Sequence, residues 1–218
     1  LRHSFHTQKH PLFGQTKDMA PINSDPVFVI GAYRSGTSIA GWSIGSHPNI
    51  IPIEETGWLA HIIYGHIAAF TQASRAHRSV VKELNLDLAD FLAHMGAAFV
   101  DYQRNIFLQH GDNIEARRRS GFLNDFDARF SVSRTPTSPK HRVLDATPEN
   151  THIAHLIATF MPKAKFIYMI RHPLDAITSL MHFEGKDASL DLNEAAKLWC
   201  RINRTAYHFH QYYRDRCT

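Results

Sequence analysis

Val27-Phe28-Val29-Ile30-Gly31-Ala32-Tyr33-Arg34-Ser35-Gly36-Thr37-Ser38 is the stretch that decides how this chain folds. Four apolar residues in succession, with no polar residue alternating among them, fit a strand buried on both faces, as in a parallel sheet. Gly31 ends the run, and Thr37 to Ile44 reads as a helix stopped near Gly45 and Pro48. A glycine-containing turn between such a strand and a helix aims backbone N–H groups and the positive end of the helix dipole at one point. That point suits a phosphate or another tetrahedral oxyanion. The spacing Gly31-x4-Gly36 matches a Walker-type loop, but Thr37 stands where the lysine would be. Arg34, inside the loop, supplies the charge instead. Asp145 is the nearest candidate for the aspartate that would anchor magnesium in a nucleoside-triphosphate hydrolase, and no strand ends in a clear one. An ordinary hydrolase of that kind is disfavoured.

Outward from this loop, residues 1–25 carry Pro11, Gly14 and Pro21 without periodicity and read as an irregular N-terminal arm. Residues 26–218 read as one α/β domain. Asn49 to Ile53 is a second short strand leading into Glu54 and Glu55. Residues 57–110 look helical throughout, with Leu88, Phe91, Leu92, Met95, Phe99, Tyr102 and Ile106 forming one apolar stripe. Residues 111–142 are polar, with Arg117-Arg118-Arg119 and a Ser/Thr/Pro stretch over 131–139, and read as a surface insertion. The alternation then resumes with a strand at Arg142–Leu144, a helix over Glu149–Phe160 and a strand over Phe166–Ile170. A further helix begins at Pro173, whose missing N–H suits the first helical position. The last helix runs from about Leu192 to Tyr213, with Leu192, Ala195, Trp199, Ile202, Ala206, Phe209 and Tyr213 on one stripe. Strands separated by helices imply a parallel sheet with right-handed crossovers. The expected architecture is therefore a three-layer α/β fold: a P-loop-like parallel sheet flanked by helices, with a helical insertion.

A second segment repeats the chemistry of the first. Phe166-Ile-Tyr-Met-Ile170 is followed by Arg171-His-Pro-Leu-Asp-Ala-Ile-Thr-Ser179, again a strand, a cation at its exit and a helix start. Ligands of open α/β sheets bind at the carboxyl ends of the strands. Two anion-receptive strand ends in one sheet fit a ligand with two separated phosphates.

These two patterns, Arg34-Ser-Gly-Thr-Ser38 after an apolar strand and Arg171-x-Pro-x-Asp-x3-Ser179, resemble the 5′-phosphosulfate loop and the 3′-phosphate motif of sulfotransferases that use 3′-phosphoadenosine 5′-phosphosulfate. Ser46-His47-Pro48 followed by Glu54-Glu55-Thr56 resembles the H-P…E-E-T segment of protein-tyrosine sulfotransferases and related bacterial enzymes. Leu144-Asp-Ala-Thr-Pro148 and the helix with Trp199 and Asn203 are similar to the same branch. The resemblance covers roughly residues 26–60 and 142–216. It implies that Arg34 contacts the bridging or 5′-phosphate oxygen and that Ser35, Gly36, Thr37 and Ser38 hold the 5′-phosphate. Arg171 and Ser179 would hold the 3′-phosphate, and Glu55, with Glu54 as second choice, would be the general base. Burial would have to raise the pKa of Glu55 for it to work near neutrality. The implied donor is 3′-phosphoadenosine 5′-phosphosulfate, the product 3′,5′-adenosine bisphosphate, and no metal is expected.

Two features depart from the pattern. Ala146 stands where the tyrosine branch carries a lysine, which would pass that cation's role to Arg34 or His172. Thr218 precedes the segment where the family places its last strand and a glycine-rich loop, so the C-terminal part of the domain is expected to be missing. The acceptor is expected to be a hydroxyl (or amine) on a carbohydrate, a lipid-linked group or a small molecule, bound by the helical region 57–110 and the insertion. Alternatives are tyrosine-sulfating activity, a P-loop nucleotide kinase, and a non-catalytic nucleotide- or glycan-binding protein.

Composition narrows the rest. Of 218 residues, 44% are hydrophobic and 20% charged, enough for a sizeable core and against global disorder. A net charge of +4 is too small and dispersed to imply nucleic acid. No run of about 18 apolar residues exists, so no membrane span is expected. Cys200 and Cys217 are too few for a disulfide scaffold and are read as free thiols. The 16 histidines invite a metal reading. Glu149-x-x-His152-x-x-His155 would share one helix face, but a second ligand-bearing helix is missing. His61 with His66 and His208 with His210 converge poorly, and His47 is read as a structural partner of the loop. Expected partners are the acceptor and, for self-association, a homodimer. The cytoplasm of a bacterium is favoured over the Golgi lumen, though either compartment fits.

Overall fold

Val27–Gly31 forms strand β1, and three further parallel strands line up beside it: β2 (Ile50–Ile53), β3 (Arg142–Asp145) and β4 (Lys165–Met169), in the order β2-β3-β1-β4. The structure, a computed structural model, describes residues 25–53, 55, 57–121, 140–182 and 190–218, with the backbone alone over 110–119. The N-terminal arm, Glu54 and the Ser/Thr/Pro stretch lie outside the described residues.

All five residues of β1 are buried, as its unbroken apolar run requires of a strand covered on both faces. Val27 and Val29 pack to one side with Leu144, Ala146 and the helix α1 (Thr37–Gly45) through Ala40 and Ile44. Phe28 and Ile30 point to the other side. There they meet α2 (Leu59–Arg75), α4 (Leu88–Arg119), α5 (Ala154–Phe160) and α7 (Leu192–Tyr212), with the short α3 (Val80–Glu83) between α2 and α4. Phe28 stacks on Phe166 of β4 at 5.5 Å, and Phe166 meets Phe209 of α7 edge-on at 4.6 Å. Helices on both faces of a parallel sheet make the three layers expected from the sequence. Side chains such as Ile30, Ile63 and Phe209, with no exposed surface, each contribute roughly 1.5–3 kcal/mol of transfer free energy.

The long helix differs in detail from its expected stripe. Leu92 and Phe99 are buried, but Met95 and Tyr102 are exposed, while Gln103, Arg104 and Leu108 are buried. The first half of α4 crosses α5 so closely that a Cβ on Gly96 would fall 1.6 Å from the carbonyl oxygen of Phe160. Further along, Phe107 and Leu108 pack on Ile51, Ile53 and Val143 of β2 and β3. One helix serving two partners rotates its contact face along its length. It also runs on to Arg119, into the segment read as insertion.

Glu149–Phe160 is not one continuous α-helix. Pro148–Ile153 forms a tighter 3₁₀ turn, and the α-helix starts at Ala154. Asp145 Oδ1 accepts the Thr147 N–H at 2.9 Å, and Thr151 exchanges two bonds with Gly31, which together hold the segment in the tighter turn. The remaining helices start as read. Pro173 opens α6 (Pro173–Met181), and Asp191 and Glu194 form a reciprocal capping box at the start of α7. Beyond α7 the chain turns back, and Arg216–Thr218 pairs with Phe166 and Tyr168 of β4. Lys140 closes the far end of α1, donating to the carbonyls of Gly45 and His47 at 3.3 and 3.2 Å.

Candidate active site

The four parallel strands present their carboxyl ends at one rim, where the chain arrives four times: after β1 with the loop 32–36, after β2 with Glu55, after β3 with residues 146–150, and after β4 with Arg171. The loop after β1 is set by its backbone. Gly31 lies so close to β4 that a Cβ there would sit 2.5 Å from the Met169 carbonyl oxygen. Arg34 takes a left-handed conformation with φ of 64°, and Gly36 one with φ of 92°. The Ser35 N–H donates to the Ala32 carbonyl at 3.1 Å, closing the turn. Gly36 caps α1 without a side chain, so the first amides of the helix are left for a ligand. Thr37 is buried as the first helical residue, and Ser35, 4% exposed, keeps its Oγ without a hydrogen-bond partner among the described residues.

The two sequence patterns meet here. The Arg34 Nε–H donates to Ser179 Oγ at 2.8 Å, and Arg171 Nη1 donates to the Arg34 carbonyl at 3.1 Å. Residues separated by 145 and 137 positions in sequence thus form one cluster. Ser179 lies on α6, whose start at Pro173 places it two turns in, beside the loop. Ser38 Oγ–H donates to Glu55 Oε1 at 3.3 Å, tying the exposed carboxylate that follows β2 to the first turn of α1. The burial expected around Glu55 is not found. Glu55 is exposed and lines the cavity.

Two depressions adjoin at this cluster, and both are lined by Arg34 and Arg171. One, of about 300 Å³, is bounded by Gly36, Thr37, Ser38 and Glu55 and by Tyr33, Pro148 and Glu149. The other runs along α6 past Leu174, Asp175, Thr178, Ser179 and His182. Uncapped helix amides, an unpartnered buried hydroxyl at Ser35 and two arginines shared by adjoining depressions fit a ligand with more than one phosphate.

The sequence reading missed Tyr33 and Pro148 and placed Glu149 wrongly. Tyr33 is a bulky residue inside an otherwise small-residue loop, and that contrast was the available signal. Its hydroxyl donates to Glu149. Burial first, and then the charges of Glu149 and Glu55, push its pKa up to about 12, with Arg201 pulling the other way. Glu149 and His152 lie three residues apart in the same 3₁₀ turn, near enough for the Glu149 charge to act on His152. His155 lies beyond it on α5, so the three do not share one α-helical face. Glu149 lines the cavity, whereas His155 packs against the rings of Phe209, Tyr212 and Tyr213. Asp145 is 2% exposed, and burial pushes its pKa up against the opposing hydrogen bonds of Thr147 and Asn150. It secures the turn below the cavity instead of lining it. His47 accepts the Asn49 N–H at 3.1 Å and shapes the entry to β2. Asn203 receives the Tyr168 hydroxyl, fastening α7 to β4.

The sequence matches the family described as the sulfotransferase family over residues 26–218. No curated protein matches it. Among solved structures, the sulfotransferase domain from the Synechococcus PCC 7002 olefin synthase aligns with 16% identity and a TM-score of 0.46, covering 92% of this chain and 68% of that one. The sulfotransferase domain from the curacin biosynthetic pathway aligns with 14% identity and a TM-score of 0.47, covering 89% and 66%. The chain thus spans about two thirds of the length of those domains.

Proposed function

The chain belongs to the sulfotransferase family, and from that premise we propose that it transfers a sulfuryl group from 3′-phosphoadenosine 5′-phosphosulfate to an acceptor hydroxyl (or amine), with Glu55 as the base. When bound, the donor supplies an activated sulfuryl group whose bond to the 5′-phosphate oxygen breaks as the bond to the acceptor atom forms. The chain's own residues supply position and charge. The amides at the start of α1, with Ser35, Thr37 and Ser38, hold the 5′ end. Arg34 bridges that loop to α6, where Arg171 and Ser179 hold the 3′-phosphate. Glu55 takes the acceptor's proton, and Ser38 keeps its carboxylate turned to the loop.

One observation carries this reading: the two hydrogen bonds that join Arg34 to Ser179 and to Arg171 bring both phosphate patterns to one cluster. The nucleotide-kinase alternative loses ground because Thr37 occupies the lysine position and Asp145 is sealed under the 146–150 turn. The tyrosine-sulfating alternative loses ground at Ala146. Its methyl group packs close against α1, where a Cβ on Gly41 would fall only 2.7 Å away, and supplies no cation there. The acceptor is then a carbohydrate, a lipid-linked group or a small molecule. Among the described residues no helix is long and apolar enough to cross a membrane.

Titration calorimetry with 3′,5′-adenosine bisphosphate tests the donor site, and transfer of labelled sulfate onto glycans, lipids, phenols and tyrosine peptides tests the reaction. Tight nucleotide binding and transfer to at least one non-peptide acceptor are expected. Absence of nucleotide binding would remove the reading.

A further inference from the structure

The 300 Å³ cavity is electrically polarised. Arg34, Arg171, Glu55 and Glu149 all line it, and Tyr33 contacts Glu149 from within the phosphate loop. The two carboxylates arrive from different strands, Glu55 after β2 and Glu149 after β3. Glu55 is tied to the phosphate loop through Ser38. Glu149 is placed by the turn that carries it and by Tyr33. Pro148 fixes the backbone just before it, Asp145 holds the Thr147 amide, and Thr151 bonds both the N–H and the carbonyl of Gly31. A charged side chain on a turn pinned at both ends is presented to the cavity without an ordering penalty at the moment of binding.

Resting on the sulfotransfer reading above, we propose that Glu149, steadied by Tyr33, selects the acceptor: the cavity takes a hydroxyl compound that carries a cationic amine near the reacting hydroxyl and turns away carboxylated ones. The arginines face the anionic donor, so their charge is committed there. An acceptor entering on the Glu55 side meets carboxylates from two directions. An ammonium group donates a charge-assisted hydrogen bond to Glu149, whereas a carboxylate faces like charge in a confined space. Arg201, on α7, acts on Tyr33 but does not line the cavity, so it moderates this field without replacing it. A metal ion is the weaker occupant, since no group of three ligating side chains gathers among the described residues. Glu149 already accepts a hydrogen bond from Tyr33, which suits holding a cation better than removing a proton.

The test uses matched probes against the full chain loaded with 3′,5′-adenosine bisphosphate: methyl glucosaminide against methyl glucuronide, and tyramine against 4-hydroxyphenylpropionate. Binding is read by calorimetry, and transfer is read where it occurs. The amine member of each pair is expected to bind at least tenfold more tightly than its carboxylate partner. Glu149→Gln, which keeps the shape and removes the charge, should reduce that ratio to less than threefold while nucleotide affinity stays within twofold. Three results would overturn the proposal with the donor reading intact: a carboxylate partner binding as well as its amine, no probe binding, or a ratio that survives Glu149→Gln. If the wild-type chain fails to bind the nucleotide, the sulfotransfer reading falls first and this inference falls with it.

Discussion

The ends of β1 and β4 do related jobs by different means. After β1 the proposed anion site is built from backbone. The strand is wholly buried, Gly31 touches β4, and Arg34 and Gly36 hold left-handed conformations that aim the α1 amides inward. After β4 the backbone is ordinary, and Pro173 starts a regular helix. The recognition proposed there depends on side chains, the exposed Arg171 and the half-buried Ser179. A site made of backbone is inseparable from the fold, so damage to it appears as lost stability. A site made of side chains can be removed with the fold intact. The difference separates what positions the donor from what pays out in affinity alone.

Four measurements break or sharpen this contrast, beginning with the largest effect. Glu55→Gln belongs to neither anion site, so nucleotide affinity should hold while the transfer rate falls by about 100- to 10,000-fold, the usual range for losing a general base. An unchanged rate removes Glu55 from the mechanism. Arg171→Ala should weaken 3′,5′-adenosine bisphosphate by about 100-fold, near 2.7 kcal/mol, with the melting temperature unchanged. Equal losses of melting temperature and affinity would erase the distinction between the two ends. Gly31→Ala should do the opposite, because its Cβ would press on the Met169 carbonyl. Thermal unfolding should show a loss of about 1–3 kcal/mol, a fall of roughly 5 °C. The smallest effect lies at the outer edge of β4, where burial pushes the Cys217 thiol up from 9.0 to about 11. Above pH 9 the unfolded chain loses this proton while the folded chain keeps it, so stability declines as pH rises from about 9 to 11. Urea unfolding across that range should show a shallower decline in Cys217→Ala.

The legible parts of the molecule were those written in contiguous residues. Val27–Ile30 declared a buried strand, Arg34–Ser38 a turn into a helix and Pro173 a helix start, because each depends on neighbours in sequence. Contacts across the chain were not legible. Nothing local announces that Tyr33 meets Glu149, and the periodicity of 149–160 looked α-helical because the bonds that tighten its first turn reach back to Gly31 and Asp145. The stripe on α4 erred for a related reason. Periodicity assumes a single partner, whereas Gly96 lets the helix touch α5 before it turns towards β2 and β3. The exposure of Glu55 depends on the sheet's rim, which a motif does not encode.

Arg34 gives the site a property beyond its charge. Its guanidinium is held by Ser179 while its carbonyl is held by Arg171, so one residue belongs to both proposed anion sites. Energies of substitutions at 34, 171 and 179 will not add, since each removes a partner the others rely on. In the proposed donor site the two phosphates would then act as a single cooperative unit, occupancy at one end preparing the other.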